Sequence, residues 1–445
     1  MSRFKSLNPF RELELLNPVD IYSAQNLLLK LALFSGIAPL KLTGTCGNRR
    51  LEINLFGFVI LISHLCLFAY CYVHTITVHD SIVSYFFKTE ISVLGDTLQL
   101  CTGLIGIVTV FLYSFCKRRT FILWFHLMAK IDEQLKEIGI ETDYKSTLKF
   151  IVLVLTVKFI LFNTYLVGSW TLFNTANLYP NFMCWISFFQ PHLIISVIVV
   201  LFLCFVKQMK HRFLLLNKVL KSLYQRNKVD ADQRRKIVRP CGICSFYNLS
   251  TKTTTETIAA IAKIHDQLCD ACNLAEEYFT AQMLTTVAVA FLIIVFNTYY
   301  ILGAIFGDAN HGEYFNTFEF ILFFSYQIAI HFTSVFAIVF VSAAASRESE
   351  KTAICVHKLI NVTNDEELKI QLKQLSMQLL HRKVKFTACG MFRLDRSLIF
   401  TIIKSLSTYL IILVQFTFNE RAKVVMLKRI LEDILRSNNL TIISD

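Results

Sequence analysis

Residues 183–206 read MCWISFFQPHLIISVIVVLFLCFV, a run with no charged side chain. A helix needs about 20 mostly apolar residues to cross the roughly 30 Å hydrocarbon layer, so this run is long enough to span it. Six further stretches, 53–75, 91–115, 148–172, 281–306, 318–341 and 396–418, have the same length and character. The reading is an all-α membrane protein with seven transmembrane helices. Composition agrees: 54% of the 445 residues are hydrophobic, forty are Phe, and only 17% are charged. A soluble fold could not bury that much apolar surface.

Basic residues fix the expected orientation, because short basic connections stay in the cytosol. The stretch before the first span and the second, fourth and sixth connections hold 35 Lys and Arg, against one in the other three connections. The N-terminus is therefore expected in the cytosol and the C-terminus outside, the reverse of a G-protein-coupled receptor. No cleavable signal peptide is expected, since the first apolar cluster, 27–34, is short and interrupted by Lys30. The net charge of +13 is spread between apolar runs, which disfavours nucleic acid as a partner.

The chain divides into a cytosolic N-terminal segment (1–50), spans 1–4 (51–206), cytosolic helices with a mobile loop (207–280), spans 5–6 (281–341), cytosolic anchor helices (342–395), a seventh span (396–418) and a tail (419–445). The cytosolic stretches carry helical periodicity. Met209, Phe213, Leu216, Leu220 and Leu223 make one apolar stripe. Ile258, Ile261, His265, Leu268, Cys272, Ala275 and Phe279 make a second, and Leu368, Leu372, Leu375 and Leu379 a third. Three such stripes on one side of a membrane predict a helical bundle there.

No phosphate loop, GxSxG or HExxH pattern occurs, so no enzyme is read and no cofactor is expected. The thirteen cysteines are scattered. Cys241 and Cys244, then Cys269 and Cys272, form two CxxC pairs, but 24 residues separate them and Cys272 sits on an apolar stripe, so packing is favoured over zinc. Lys158, near the middle of the third span, either pairs with Asp96 or faces a wet cavity.

Polar and aromatic residues gather in the expected outer halves of the spans: Asp96 and Gln99; Asn163, Thr164, Tyr165 and Trp170; Trp185, Gln190 and His192; Asn297, Thr298, Tyr299 and Tyr300; Glu319, Tyr326 and Gln327. Polar groups in lipid need partners or water, so these ends predict an outward-open pocket for a small organic ligand. From that set, Asp96, Gln99, Trp185, Gln190, His192, Tyr299, Tyr300, Tyr326 and Gln327 are the candidate ligand-binding residues. An interfacial aromatic belt with interhelical hydrogen bonds is the competing reading.

The seventh span has a different pattern. Thr401, Ser405, Thr408, Ile412, Gln415 and Asn419 recur at steps of four and three and share one narrow face. A polar stripe along a membrane helix is satisfied by water and by symmetric copies of itself, which predicts a pore. Hydrogen bonding to other helices of the same chain is the alternative.

The same span carries TYLIILVQF (408–416), preceded by FTACGMFRLDRSLIFTI (386–402) and, after the sixth span, AAASRESEKT (343–352). These motifs, with seven helices and a cytosolic N-terminus, resemble the insect gustatory receptors over nearly the whole chain. The resemblance implies a homotetramer, or a hetero-oligomer with related receptors, working as a ligand-gated non-selective cation channel in the plasma membrane of sensory neurons. A small-molecule tastant, monovalent and divalent cations and membrane lipid are its implied partners. It also implies a cytosolic helical anchor bundle, a pore lined by the last helices, with Thr408 and Ile412 on its wall, and a gate at Gln415 and Phe416. Two features depart from the family. Leu410 stands where the sweet-taste branch commonly has glutamate, and the chain continues well past Gln415–Phe416. An odorant receptor of the same superfamily and a secondary transporter are the alternatives. With only six prolines, fourteen glycines and no apparent repeat, the transporter is disfavoured.

Overall fold

The computed structural model describes residues 17–45, 49–78, 80–86, 90–235, 253–306 and 315–441. The helices are α1 (Ile21–Ala24), α2 (Asn26–Phe34), α3 (Leu55–Val78), α4 (Glu90–Cys116), α5 (Arg118–Glu137), α6 (Tyr144–Thr175), α7 (Phe182–Arg235), α8 (Thr254–Phe306), α9 (Thr317–Val362), α10 (Glu366–His381) and α11 (Arg396–Thr441). A short 3-10 helix (Val83–Tyr85) and the antiparallel hairpins β1–β2 (Leu40–Thr43, Arg50–Ile53) and β3–β4 (Thr387–Ala388, Phe392–Arg393) complete the described elements. Seven helices, α3, α4, α6, α7, α8, α9 and α11, are long and apolar enough to cross a membrane.

Three of these are far longer than a bilayer requires. The 54 residues of α7 extend about 80 Å at 1.5 Å per residue, and α8 and α9 are similar. Only the stretches 183–206, 281–306 and 318–341 match the hydrocarbon thickness. The remainder projects beyond one end of the bundle, here called the basic end, as helix without interruption. The periodic stripes explain why these projections hold together. Met209, Phe213, Leu216 and Leu220 of α7, Ile261, His265 and Leu268 of α8, and Leu372 of α10 are all fully buried.

One helix of the basic end, α5, was not anticipated from the sequence. Its signal is nevertheless present: Phe121, Trp124, Phe125, Met128, Ile131 and Leu135 follow helical spacing and are all buried. Trp124 stacks on Phe205 of α7 with ring centroids 3.8 Å apart. Asp132 of α5 receives a two-pronged hydrogen bond from Arg212 of α7, at 2.9 and 2.7 Å, and a third from the Tyr144 hydroxyl at 2.8 Å. With Arg212 and Asp132 both buried, losing either partner strands a charge, at a cost of roughly 3–5 kcal/mol. The N-terminal segment packs on the same end, where Tyr22 stacks on Phe125 at 5.8 Å.

α7 is the central helix of the bundle: 83% of its most apolar window is buried, against 11% for α6 and 6% for α11. Gly103 and Gly106 of α4 allow close approach to α7, since a Cβ there would lie 3.2 Å from Pro191 and 3.0 Å from Ile195. Among the described residues α11 lies at the periphery and packs chiefly on α8 and α9. It is a single helix through Thr441, so the stretch expected as a tail continues the seventh span as helix as far as that residue.

Candidate functional site

The polar residues opposite the basic end fall into two layers. The outermost is aromatic: Phe86, from the connection between α3 and α4, sits among Phe173, Phe315, Phe323 and Phe324 with ring centroids 4.5 to 5.5 Å away. Trp185 and Tyr300 belong to the same buried cluster. Offset and edge-on ring pairs of this kind contribute about 0.5–1.5 kcal/mol each beyond burial. Tyr300 can seat there only because residue 95 is glycine; a Cβ at Gly95 would come within 1.9 Å of the Tyr300 hydroxyl oxygen. Tyr299 is half-buried beside it, and the Tyr326 hydroxyl donates to the Leu161 carbonyl at 3.1 Å.

Beneath the rings lies a polar layer shared by α7, α8 and α9. His192 Nδ1 donates to the Phe188 carbonyl at 2.8 Å, which leaves Nε2 to accept from the Gln327 amide at 3.4 Å. The Gln327 oxygen in turn accepts from Asn297 at 2.9 Å. His331, one turn further along α9, lies 5.1 Å from His192, ring to ring. A narrow cavity of about 20 Å³, enough for a water or two, opens between these groups. Gln99, Ser187, Pro191, His192 and His331 line it. His331 was not singled out from the sequence, although its spacing of four from Gln327 places the two on one face of α9.

Other candidates point elsewhere. Gln190 faces α3, where its amide donates to the His64 carbonyl at 3.1 Å. Asp96 accepts from Ser81 at 2.5 Å and Lys158 donates to Ser334 at 2.6 Å, so these two do not pair with each other. The second CxxC pair, Cys269 and Cys272, is buried at the basic end, where burial pushes the Cys269 thiol up to about 12. Cys241 and Cys244 lie outside the described residues. Among the described residues no group of three or more His, Cys, Asp or Glu is placed to hold a metal.

On α11, Thr401, Thr408, Ile412 and Gln415 are exposed and Ser405 is half-exposed. The Thr401 and Thr408 hydroxyls donate to carbonyls of their own helix, at Ser397 and Lys404. Among the described residues, no side chain of this stripe bonds to another helix of the chain. The side chains of Phe416 and Asn419 lie outside the described part. The start of α11 is tied to α8. Arg382 bonds Asp266 and Asp270 at 2.6 and 2.5 Å, Thr387 bonds Glu276, and the Cys389 amide donates to Thr280. Cys389 and Gly390 take positive φ at the tip of the β3–β4 hairpin that makes these contacts.

Fold and site together define a seven-helix membrane protein with a polar and aromatic layer at one end and a helical bundle at the other. Two solved structures of the insect olfactory receptor OR5 from Machilis hrabei, with and without eugenol, share that fold. Their TM-scores are 0.53 and 0.52 at 12% and 13% identity, over 88% of this chain and 97% of theirs. In sequence, gustatory receptor 28b of Drosophila melanogaster is 35% identical over 378 residues, 84% of this chain and 80% of that protein. Gustatory receptor 28a of the same organism is 34% identical over 403 residues, 86% and 89%. The 7tm chemosensory receptor family model matches residues 25–420, and the chain belongs to that family as a multi-pass membrane protein.

Proposed function

We propose that this chain is a gustatory receptor working as a ligand-gated, non-selective cation channel, with its N-terminus in the cytosol and α11 lining a central pore between four copies. The observation that carries the reading is the α11 stripe, whose exposed Thr401, Thr408 and Gln415 bond, among the described residues, to no other helix of their own chain. The threonine hydroxyls are satisfied by their own helix, but a Gln415 amide facing hydrocarbon would be costly, whereas water and symmetric neighbours satisfy it. The gathering of the basic connections at one end supports the assigned orientation.

The tastant is placed in the layer of Gln99, His192, Gln327 and His331, where neutral donors and acceptors under a lid of rings suit a small uncharged organic molecule. A cavity of about 20 Å³ is too small for one, so binding requires rings such as Phe188 to swing aside and α8 and α9 to separate. Movement of α8 pulls on α11 through the Arg382 and Thr387 contacts, and Gln415 and Phe416 form the gate that yields. The olfactory receptor of like fold was solved with eugenol, but its 12% identity speaks to fold alone, so the gustatory relatives decide the class. Patch-clamp recording from cells expressing this chain alone, with a panel of sugars, nucleosides and bitter compounds, tests the reading. Ligand-evoked cation current is expected, and the purified protein should have the mass of four chains. Transport without channel current would overturn it.

A further inference from the structure

A second cavity, far larger than the first, lies in the basic end between the projecting parts of α7 and α9. It is an open cleft of about 370 Å³ lined by Lys221, Tyr224 and Gln225 of α7 and by Lys351, Ile354 and Lys358 of α9, with Leu220 and Cys355 behind them. The two helices run parallel here and are held in register by buried and half-buried contacts. Asn217 bonds Glu348 at 3.0 Å and Thr352 at 2.8 Å, and Asn227 bonds Thr363 at 3.4 Å. Lys221 and Gln225 of α7 and Lys351, Ile354 and Lys358 of α9 are exposed, so they line the open flank of this seam.

Charge singles this cavity out. Three lysines line one cleft, and the nearby carboxylate, Glu348, is already engaged by Lys351 at 2.8 Å and by Asn217. Among the described residues neither Lys221 nor Lys358 has a carboxylate within ion-pair distance. Like charges held together around a cleft raise the local concentration of anions. Phosphate oxygens suit lysine, and the wall of Tyr224 and Ile354, with the Gln225 amide, offers an apolar face and a hydrogen-bonding group for an organic moiety.

We propose that this cleft binds a soluble organic polyphosphate of nucleotide size. Position decides against a lipid headgroup as the source. Lys351 stands ten residues beyond residue 341 and Lys358 seventeen, about 15 and 25 Å along the helix, while Lys221 is about 22 Å beyond residue 206. The headgroup layer is only about 5–8 Å thick. The cleft is separate from the tastant layer and gate. The proposal rests on the topology above only in assigning this end to the cytosol, where such anions are plentiful; the binding test itself needs no topology.

The test uses purified full-length receptor in detergent free of phosphoinositides, with ATP as the probe and microscale thermophoresis as the readout. Saturable binding that weakens with salt, and displacement by inorganic tripolyphosphate, are expected. Lys221→Gln/Lys358→Gln should weaken ATP binding at least about tenfold, with thermal midpoint and oligomeric mass unchanged in the absence of ATP. Single Lys221→Gln, a change at an exposed position, should weaken it less. No binding, or equal binding by the double variant, would overturn the proposal. So would loss of assembly in both variants, which would assign the lysines to a subunit contact. Binding to nanodiscs containing phosphatidylinositol bisphosphate, without binding of ATP, would overturn the soluble source.

Discussion

The ammonium of Lys158 on α6 lies 2.6 Å from the hydroxyl of Ser334 on α9, and that hydroxyl in turn donates to the Ile330 carbonyl at 2.8 Å. The contact anchors a basic residue of the least enclosed spans to the more enclosed α9. Removing one partner is not equivalent to removing the other. Ser334→Ala leaves the ammonium without its acceptor and should cost about 1–3 kcal/mol. Lys158→Met removes the charge, leaves Ser334 bonded to its own helix, and should be neutral or stabilising. Thermal midpoints of the detergent-solubilised receptor, followed by size-exclusion fluorescence, check this, and the double variant should resemble Lys158→Met. Equal losses in both single variants would show that the contact matters only as packing.

Within the polar layer the candidate residues should separate by the direction they face. Gln327→Ala leaves His192 and Asn297 without their shared partner, and His331→Ala removes an imidazole from the cavity wall; each should raise the tastant concentration for half-maximal response roughly 5-fold to 150-fold, corresponding to about 1–3 kcal/mol. Gln190→Ala, which disturbs α3 instead, should move the curve much less. Dose-response recordings on variants of matched surface level decide. A parental curve for both Gln327→Ala and His331→Ala would place the ligand elsewhere.

In the proposed gate, a ring of four Phe416 side chains would close the pore, because a narrow apolar constriction cannot replace an ion's hydration shell. Phe416→Ala is expected to produce current without ligand. Single-channel recording checks it, and normal surface expression with no basal opening counts against the gate.

The topology is read out by the sequons at Asn248, Asn361 and Asn439. Asn361 lies in the part of α9 that projects from the basic end, and Asn248 lies outside the described residues. Both should remain unmodified, and Asn439 alone should accept glycan. An endoglycosidase shift abolished by Asn248→Gln or Asn361→Gln would reverse the orientation.

His265 makes the basic end sensitive to acid. It lies on α8 sixteen residues before residue 281, outside the membrane, fully buried against Phe213 with its Sγ neighbour Cys269 at 3.7 Å. Burial holds its pKa down to about 4, against an ordinary value near 6.5. The unfolded chain therefore takes up a proton that the folded chain refuses. The stabilisation is complete above about pH 6.5 and is lost as pH falls toward about 4, by on the order of 3 kcal/mol. Thermal midpoints measured from pH 7.5 to 4.5 should fall, and His265→Phe should flatten the decline. Parallel slopes in both proteins would assign it to other groups.

The seven spans, the basic end and the α11 stripe were legible in the sequence because each is a one-dimensional pattern: length, charge count or helical period. α5 obeyed the same rule and could have been read by it, since Phe121, Trp124, Phe125 and Met128 keep the period. Its twenty residues lie in a connection that was read only for its six Lys and Arg. The polar layer was legible only as composition. Which of Gln190, His192 and Gln327 meet depends on the rotation of α7 against α3 and α9, set by side-chain packing and by close approaches such as Gly103 to Pro191. The sequence offered Lys158 either Asp96 or a wet cavity, and its partner, the Ser334 hydroxyl, lies 176 residues away in sequence. The lysine cleft went unread for the same reason: Lys221 and Lys358 are 137 residues apart, and only the parallel register of α7 and α9 brings them to one space. Period and charge fix what each helix is, because they act along the chain; which groups become partners is fixed by how the helices rotate and slide against one another, and that is decided only when the whole bundle packs.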